Sequence, residues 1–183
     1  MNATLYFLRS SEQKIVTDML WYAYRLDEID KKVNDFDKLG IYEKYYGLTR
    51  RDLGLYALAQ NTLAGAAWIR LISKDKEPNA FIDEQTPILS IAVKPEFRLS
   101  GIGSLMLDQL LQETGALYKQ ISVSVLKESS AIKFFEKFGF ERYSDIVEKS
   151  PVDNSATIIM TKQLSNVEVV RPSDGYDPSR WMD

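Results

Sequence analysis

Residues 91–107 read IAVKPEFRLSGIGSLML, and this stretch decides the fold. It ends a strand that begins at Pro87, turns through residues 96–103, and opens a helix at Ser104 that runs to a glycine stop at Gly115. Leu105, Met106, Leu107, Leu110 and Leu111 make that helix's apolar side, while Asp108, Gln109, Gln112 and Glu113 make its wet side. A helix start leaves backbone N–H groups without partners and gathers partial positive charge, so anions lodge there. Gly101 and Gly103 let a phosphate approach the main chain closely, and Arg98 adds a fixed charge that binds phosphate oxygens as a fork. The set describes a pyrophosphate cradle, although the same glycines also suit a plain tight strand-to-helix turn.

Two other phosphate motifs fail on the residues. Met106 stands where glycine would complete G-x-G-x-x-G, and no G-K-[ST] supplies a Walker A lysine. The 183 residues contain no Cys and no His, which excludes disulfides, thiolate nucleophiles, Cys/His zinc sites and Ser-His-Asp triads; no metal site is expected. With 23 basic against 26 acidic residues the net charge is -3, so no positive field gathers nucleic acid. No signal-peptide pattern and no membrane-length apolar run stand out, and a cytoplasmic protein without a membrane partner is the expectation.

Working outward, Thr4 to Leu8 reads as a strand, and a helix follows to about Leu26 with Ile15, Met19, Tyr22, Ala23 and Leu26 on one face. A second helix is expected around Tyr42 to Tyr46, ended by Gly47. Leu53 to Ala59 and Leu63 to Ile72 form a hairpin about Gln60-Asn61-Thr62, and Ser73 to Thr86 is a long polar loop. Downstream, Ile121 to Leu126 alternates as a half-buried strand should. A helix from about Ser129 to Gly139 buries Ala131, Ile132, Phe134, Phe135 and Phe138, and two closing strands follow around Phe140 and Ala156 to Lys162. The length suits one domain, residues 1–164, with residues 165–183 as a C-terminal extension.

These residues resemble the GNAT superfamily of acyl-CoA-dependent N-acyltransferases, whose signature is a strand ending V-x-P, then R/Q-x-x-G-x-G/A opening a helix. A second match lies in SVSVLKESSAIKFFEKFGF, which is similar to the family's later strand, N-x-x-A helix and G-F exit. The resemblance implies an α/β fold, a mixed and mostly antiparallel sheet of six or seven strands flanked by helices and splayed at the acyl-CoA site. It implies acetyl-CoA as co-substrate, with Ile91, Ala92 and Val93 along the pantetheine arm. The amides of Leu99, Ser100, Gly101, Ile102, Gly103 and Ser104, with Arg98, would hold the pyrophosphate, and Ala131 and Phe134 would line the other side.

Direct attack of an amine on a thioester needs no enzyme nucleophile, which suits a chain without His or Cys. An alkylamine is mostly protonated at neutral pH, so a base or water relay is expected. The family's frequent strand Glu is missing from Pro87-Ile88-Leu89-Ser90-Ile91, which leaves Ser90 to order a water and Asp83 and Glu84 upstream as candidate bases. Phe135 replaces the family's frequent acid Tyr, and Glu128 the usual Asn; Tyr143 is another phenol to consider. Tyr22, Tyr24, Tyr42, Tyr45, Tyr46 and Trp68, near the acids Asp27, Glu28 and Glu43, suggest a site for a cationic amine on a small molecule or peptide. Tyr176 and Trp181 in the tail suggest docking on the domain or on a second subunit, hence a homodimer. The other class of function is an acyl-CoA-binding regulatory module that has lost turnover.

Overall fold

The computed structural model describes residues 2–172. The tail aromatics Tyr176 and Trp181 lie outside them. Seven strands form one sheet: β1 (Ala3–Phe7), β2 (Leu53–Ala59), β3 (Thr62–Arg70), β4 (Ile88–Val93), β5 (Gln120–Leu126), β6 (Glu141–Lys149) and β7 (Ala156–Gln163). Their spatial order is β1-β2-β3-β4-β5-β7-β6. Every neighbouring pair is antiparallel except β4 and β5, which run parallel. The mixed, mostly antiparallel sheet expected from the sequence is therefore present with seven strands.

Four helices flank it: α1 (Gln13–Ala23), α2 (Gly40–Glu43), α3 (Ile102–Gly115) and α4 (Ala131–Lys137). On one face Met106, Leu107 and Leu110 of α3 and Phe135 of α4 pack on Leu55, Leu89, Ile121 and Val123. On the other, Val16, Met19 and Leu20 of α1 pack on Trp68, Ile88 and Ala92. Trp68 is wholly buried, and its indole N–H donates to the Tyr42 carbonyl at 2.9 Å, so α2 is fixed to the sheet through one ring.

Helix α1 buries a face rotated from the expected one. Val16, Met19 and Leu20 are fully buried, whereas Ile15, Tyr22 and Ala23 are only partly covered. The helix also stops at Ala23, because Arg25 takes φ +57 and starts a separate 3-10 turn, Leu26–Glu28, that carries Leu26 into the core. The short helix α2 ends before Tyr45, which has φ +60, rather than running to Tyr46. The hairpin lies where the sequence places it: Gln60 and Asn61 have φ +53 and +60, the pair of left-handed residues that a two-residue hairpin turn requires.

Beyond β7 the chain turns back along α3. Val170 N–H donates to Gln112 Oε1 at 3.0 Å, and the Arg171 guanidinium grips the buried Glu113 carboxylate through two bonds of 2.7 and 3.0 Å.

Candidate active site

Strands β4 and β5 pair only at Ile88 with Ser122 and Leu89 with Val123, and then they part. The direction of the main-chain groups in the gap follows from two bonds. Ser122 N–H donates to Pro87 O at 3.1 Å, and Lys94 N–H donates to Ala64 O at 2.8 Å. In an extended strand a residue's own N–H and C=O point to the same side and alternate along the chain. Leu89 therefore turns its peptide groups to its β5 neighbour, Ile91 and Val93 aim theirs into the gap beyond it, and Ser90 and Ala92 bond to β3. The Ile91 and Val93 side chains lie on the α3 face, and the Ala92 side chain lies on the α1 face. Alternation puts Ser90 on the α1 face as well.

The turn after β4 sets the start of α3 beside this fork. Gly101 caps the helix with φ +85, a conformation that costs an L side chain about 1–2 kcal/mol. A Cβ there would meet nothing within 4 Å. At Gly103 a Cβ would lie 3.6 Å from Val93 Cγ2 and 3.7 Å from Phe134 Cζ, which is ordinary contact. Neither glycine is forced by crowding, so the bare backbone leaves open space at the helix start. The first ladder bond of α3 runs from Leu105 N–H to Gly101 O at 3.0 Å. The N–H groups of Ile102, Gly103 and Ser104 precede it and have no partner among the described residues.

Leu99 is fully exposed at φ +58, and the Ser100 hydroxyl donates to the Phe97 carbonyl, so the loop is braced from within. Arg98 Nε donates to Val93 O at 3.1 Å. The same residue thus reaches from the cradle to the lip of the fork, and its exposed Nη groups face solvent. Phe134 packs in a ring cluster with Phe135 and Phe138, at centroid distances of 5.2 and 5.3 Å, and its edge lies over Gly103. The structure therefore brings Ile91, Val93, Arg98, residues 99–104 and Phe134 together. Ala131 begins α4 above them, held by a 3.0 Å bond from its N–H to Ser129 Oγ.

The carboxylates singled out as bases are elsewhere. Asp83 Oδ1 accepts from Gln85 N–H at 2.8 Å and from the Thr86 hydroxyl at 2.9 Å, and Glu84 Oε1 accepts from Lys74 N–H at 3.3 Å. Both are exposed and precede β4, at the end of the strand opposite the fork. Their bonds brace the loop, and the structure does not bring them to the reacting region. Phe135 is buried against Phe140 and carries no proton to give. Tyr143 sits on the outermost strand β6, with β7 between it and β5.

On the α1 face the structure assembles a group that no motif announced. Partial burial, then the carboxylates of Glu96, Asp27 and Asp18, raise the Tyr22 phenol above its ordinary value. Asp27 is half-buried, and its Oδ1 is shielded from solvent with no hydrogen-bond partner among the described residues. Tyr22 belongs to the core on the α1 face, opposite α3, and Glu96 lies in the 3-10 turn Pro95–Phe97 that follows β4. Asp27 was legible as an acid beside aromatics, but Glu96 was hidden inside the turn of the phosphate motif.

The family described as "Acetyltransferase (GNAT) domain" matches residues 52–142, from β2 to the start of β6. The chain belongs to the GNAT superfamily. Solved structures show the same fold. A GNAT acetyltransferase from Streptococcus pneumoniae is 14% identical with a TM-score of 0.63, covering 90% of this chain and 100% of its own. The ribosomal-protein-S18-alanine N-acetyltransferase of Escherichia coli is 15% identical, with a TM-score of 0.59 and coverage of 96% and 100%. A phosphinothricin acetyltransferase from Sinorhizobium meliloti, solved with acetyl-CoA, is 17% identical, with a TM-score of 0.62 and coverage of 97% of both chains. No curated protein matches the sequence. Among the described residues of this GNAT chain no helix is long and apolar enough to cross a membrane.

Proposed function

We propose that this GNAT protein is an N-acetyltransferase that moves the acetyl group of acetyl-CoA to a primary amine by direct attack. The observation that carries the reading is the fork of β4 and β5 set beside a helix start with three unpartnered N–H groups. Acetyl-CoA supplies an activated thioester: the amine nitrogen bonds the acetyl carbon, the C–S bond breaks with its electron pair on sulfur, the proton lost from nitrogen passes to water, and the CoA thiolate takes a proton from water to become the thiol.

The chain's own part is placement and polarity. Residues 99–104 donate to the pyrophosphate, and Arg98 adds charge on the same side. The peptide groups of Ile91 and Val93 hydrogen-bond the pantetheine arm, with Ala92 between them facing away and Ala131 and Phe134 covering its outer side. An N–H from β4 aimed at the thioester oxygen contributes about 3 kcal/mol to the reaction's transition state. Ser90, on the opposite face, holds a water that takes the amine proton. Asp27 and Glu96 attract the protonated amine beside Tyr22, and the unpartnered Asp27 oxygen supports a donor arriving there.

Residues 1–164 form the acyltransferase domain, residues 165–183 its extension, and the protein works in the cytoplasm, with the extension available for a dimer contact. The test is acetyl transfer from labelled acetyl-CoA to a panel of alkylamines, amino acids and peptide N-termini, read by mass spectrometry. Label on an amine nitrogen supports the reading. Phe135, buried and without a hydroxyl, favours a second one, a regulatory module that binds acyl-CoA without turnover. Tight acetyl-CoA binding with no labelled amine in the whole panel would establish that one instead.

A further inference from the structure

The two strands of the fork bring a pair of hydroxyls to its crotch. The last rung between β4 and β5 joins Leu89 to Val123, so Ser90 and Ser124 come next on the two banks and stand at one level. Their side chains share a face. Leu89 and Ile91 of β4 and Val123 and Val125 of β5 pack on the α3 face, which turns Ser90 and Ser124 to the α1 face. Neighbouring strands lie about 4.8 Å apart, so the two hydroxyls begin about 5 Å from each other where the strands part.

The serine two residues earlier on β5 shows what changes at the fork. Ser122 lies on the same face, wholly buried, and its hydroxyl donates to the Ala80 carbonyl at 2.7 Å. Ser90 and Ser124 are half-buried instead, and neither hydroxyl has a hydrogen-bond partner among the described residues. Neither oxygen is sealed from solvent. Beside them on this face Ile88 and Ala92 are apolar, and the Trp68 indole N–H is already given to Tyr42 O.

A water bonded at about 2.8 Å to each of two oxygens spans up to about 5.6 Å between them. One water therefore fits across the crotch, and two fixed partners suit an ordered site. We infer that Ser124 is a positioning residue that, together with Ser90, holds one water at the crotch of the fork. The water donates its two O–H bonds to the serine oxygens, which leaves its lone pairs for an incoming N–H. As the amine nitrogen bonds the acetyl carbon, this water takes the nitrogen's proton and passes one of its own to a serine oxygen. That hydroxyl releases its proton to solvent, so water and serine are both restored. Strand β4, Ile88-Leu89-Ser90-Ile91-Ala92-Val93, carries no carboxylate for the step. The inference rests on the acetyl-transfer reading for the source of the proton alone, not for the water site.

The test has a structural and a kinetic arm. Crystals of the full-length protein without ligand are compared for wild type and Ser124→Ala. An ordered water within about 3.2 Å of both serine oxygens is expected in wild type and not in the variant. Acetyl transfer to the panel amine that is labelled fastest is then measured for Ser90→Ala, Ser124→Ala, their double variant and Ser122→Ala. In Ser124→Ala kcat is expected to fall about tenfold with KM for acetyl-CoA and melting temperature unchanged, and the double variant to be no slower than Ser90→Ala, because both residues hold one water. Ser122→Ala, which loses a bond of the intact sheet, is expected to melt lower with kcat unchanged. No bridging water, or wild-type kcat in Ser124→Ala, overturns the inference and leaves acetyl transfer standing. No label on any amine removes the acetyl-transfer reading and the proton step with it, and the crystals then decide the water site by themselves.

Discussion

Arg98 Nε donates to the main-chain oxygen of Val93 at 3.1 Å, joining the phosphate loop to the last residue of the parted strand. One guanidinium thus ties the start of α3 to the lip of the fork through Nε, on an exposed side chain. Lysine offers a point charge without the guanidinium's second edge. Arg98→Ala is expected to weaken CoA binding about tenfold and Arg98→Lys by a smaller factor, measured by calorimetry. Melting temperature should hold in both, because the side chain is exposed.

Gly101 and Gly103 separate binding from folding. Gly103→Ala fills space at ordinary contact distance and replaces glycine within a helix, so it should stabilise the protein by roughly 0.5–1 kcal/mol in thermal or urea unfolding. The same methyl narrows the cradle, and acetyl-CoA affinity should fall. Gly101→Ala should destabilise instead, since φ +85 strains any L side chain. Equal affinity for acetyl-CoA in Gly103→Ala and wild type would mean that the ligand does not approach the helix start closely.

Asp27 holds a buried oxygen with no hydrogen-bond partner among the described residues. Asp27→Asn removes the charge that draws a protonated amine while keeping the shape. Steady-state kinetics should show KM for a cationic acceptor raised about fivefold, with KM for acetyl-CoA unchanged. Loss of the buried unpaired charge should not lower the melting temperature. A change confined to the acetyl-CoA KM would place Asp27 on the wrong side of the fork.

Burial pushes the Tyr42 phenol up to about 12. The unfolded chain ionises this group near pH 10, so its contribution is fully present below that pH and is lost as pH rises towards about 12. For a shift of this size the loss approaches about 3 kcal/mol. Urea unfolding at pH 9 and pH 11 should show the decline, and Tyr42→Phe should show a shallower one.

Much of the fold was legible because local chemistry and tertiary placement agree. The β2–β3 hairpin rests on Gln60 and Asn61, residues at left-handed φ, and α3 begins at a glycine that its cap conformation favours. Elsewhere tertiary packing decides. The stripe from Ile15 to Leu26 assumes one continuous helix, and the break at Arg25 changes which residues reach the core. Strand β6 is mostly exposed and has a register shift between Arg142 and Val147, so it lacks the alternation by which a strand is read. The glycine-capped start of α3 was legible since its residues are consecutive. The acid group around Tyr22 was not, because Glu96 comes from the turn after β4 and Asp27 from the turn after α1. Asp83 and Glu84 are close to β4 in sequence but precede its first residue, and no sequence spacing reveals which end of a strand is parted.

The most direct test is an acetyl-CoA titration of wild type and Ser104→Glu by calorimetry. Ser104 is exposed in the first turn of α3, where a carboxylate favours the helix dipole and therefore preserves or raises stability, yet repels a pyrophosphate. Saturable binding by wild type, weakened at least about tenfold in a Ser104→Glu protein that melts no lower, is the expected result. Unsaturable wild-type binding at millimolar acetyl-CoA, or equal affinity in the two proteins, would contradict it.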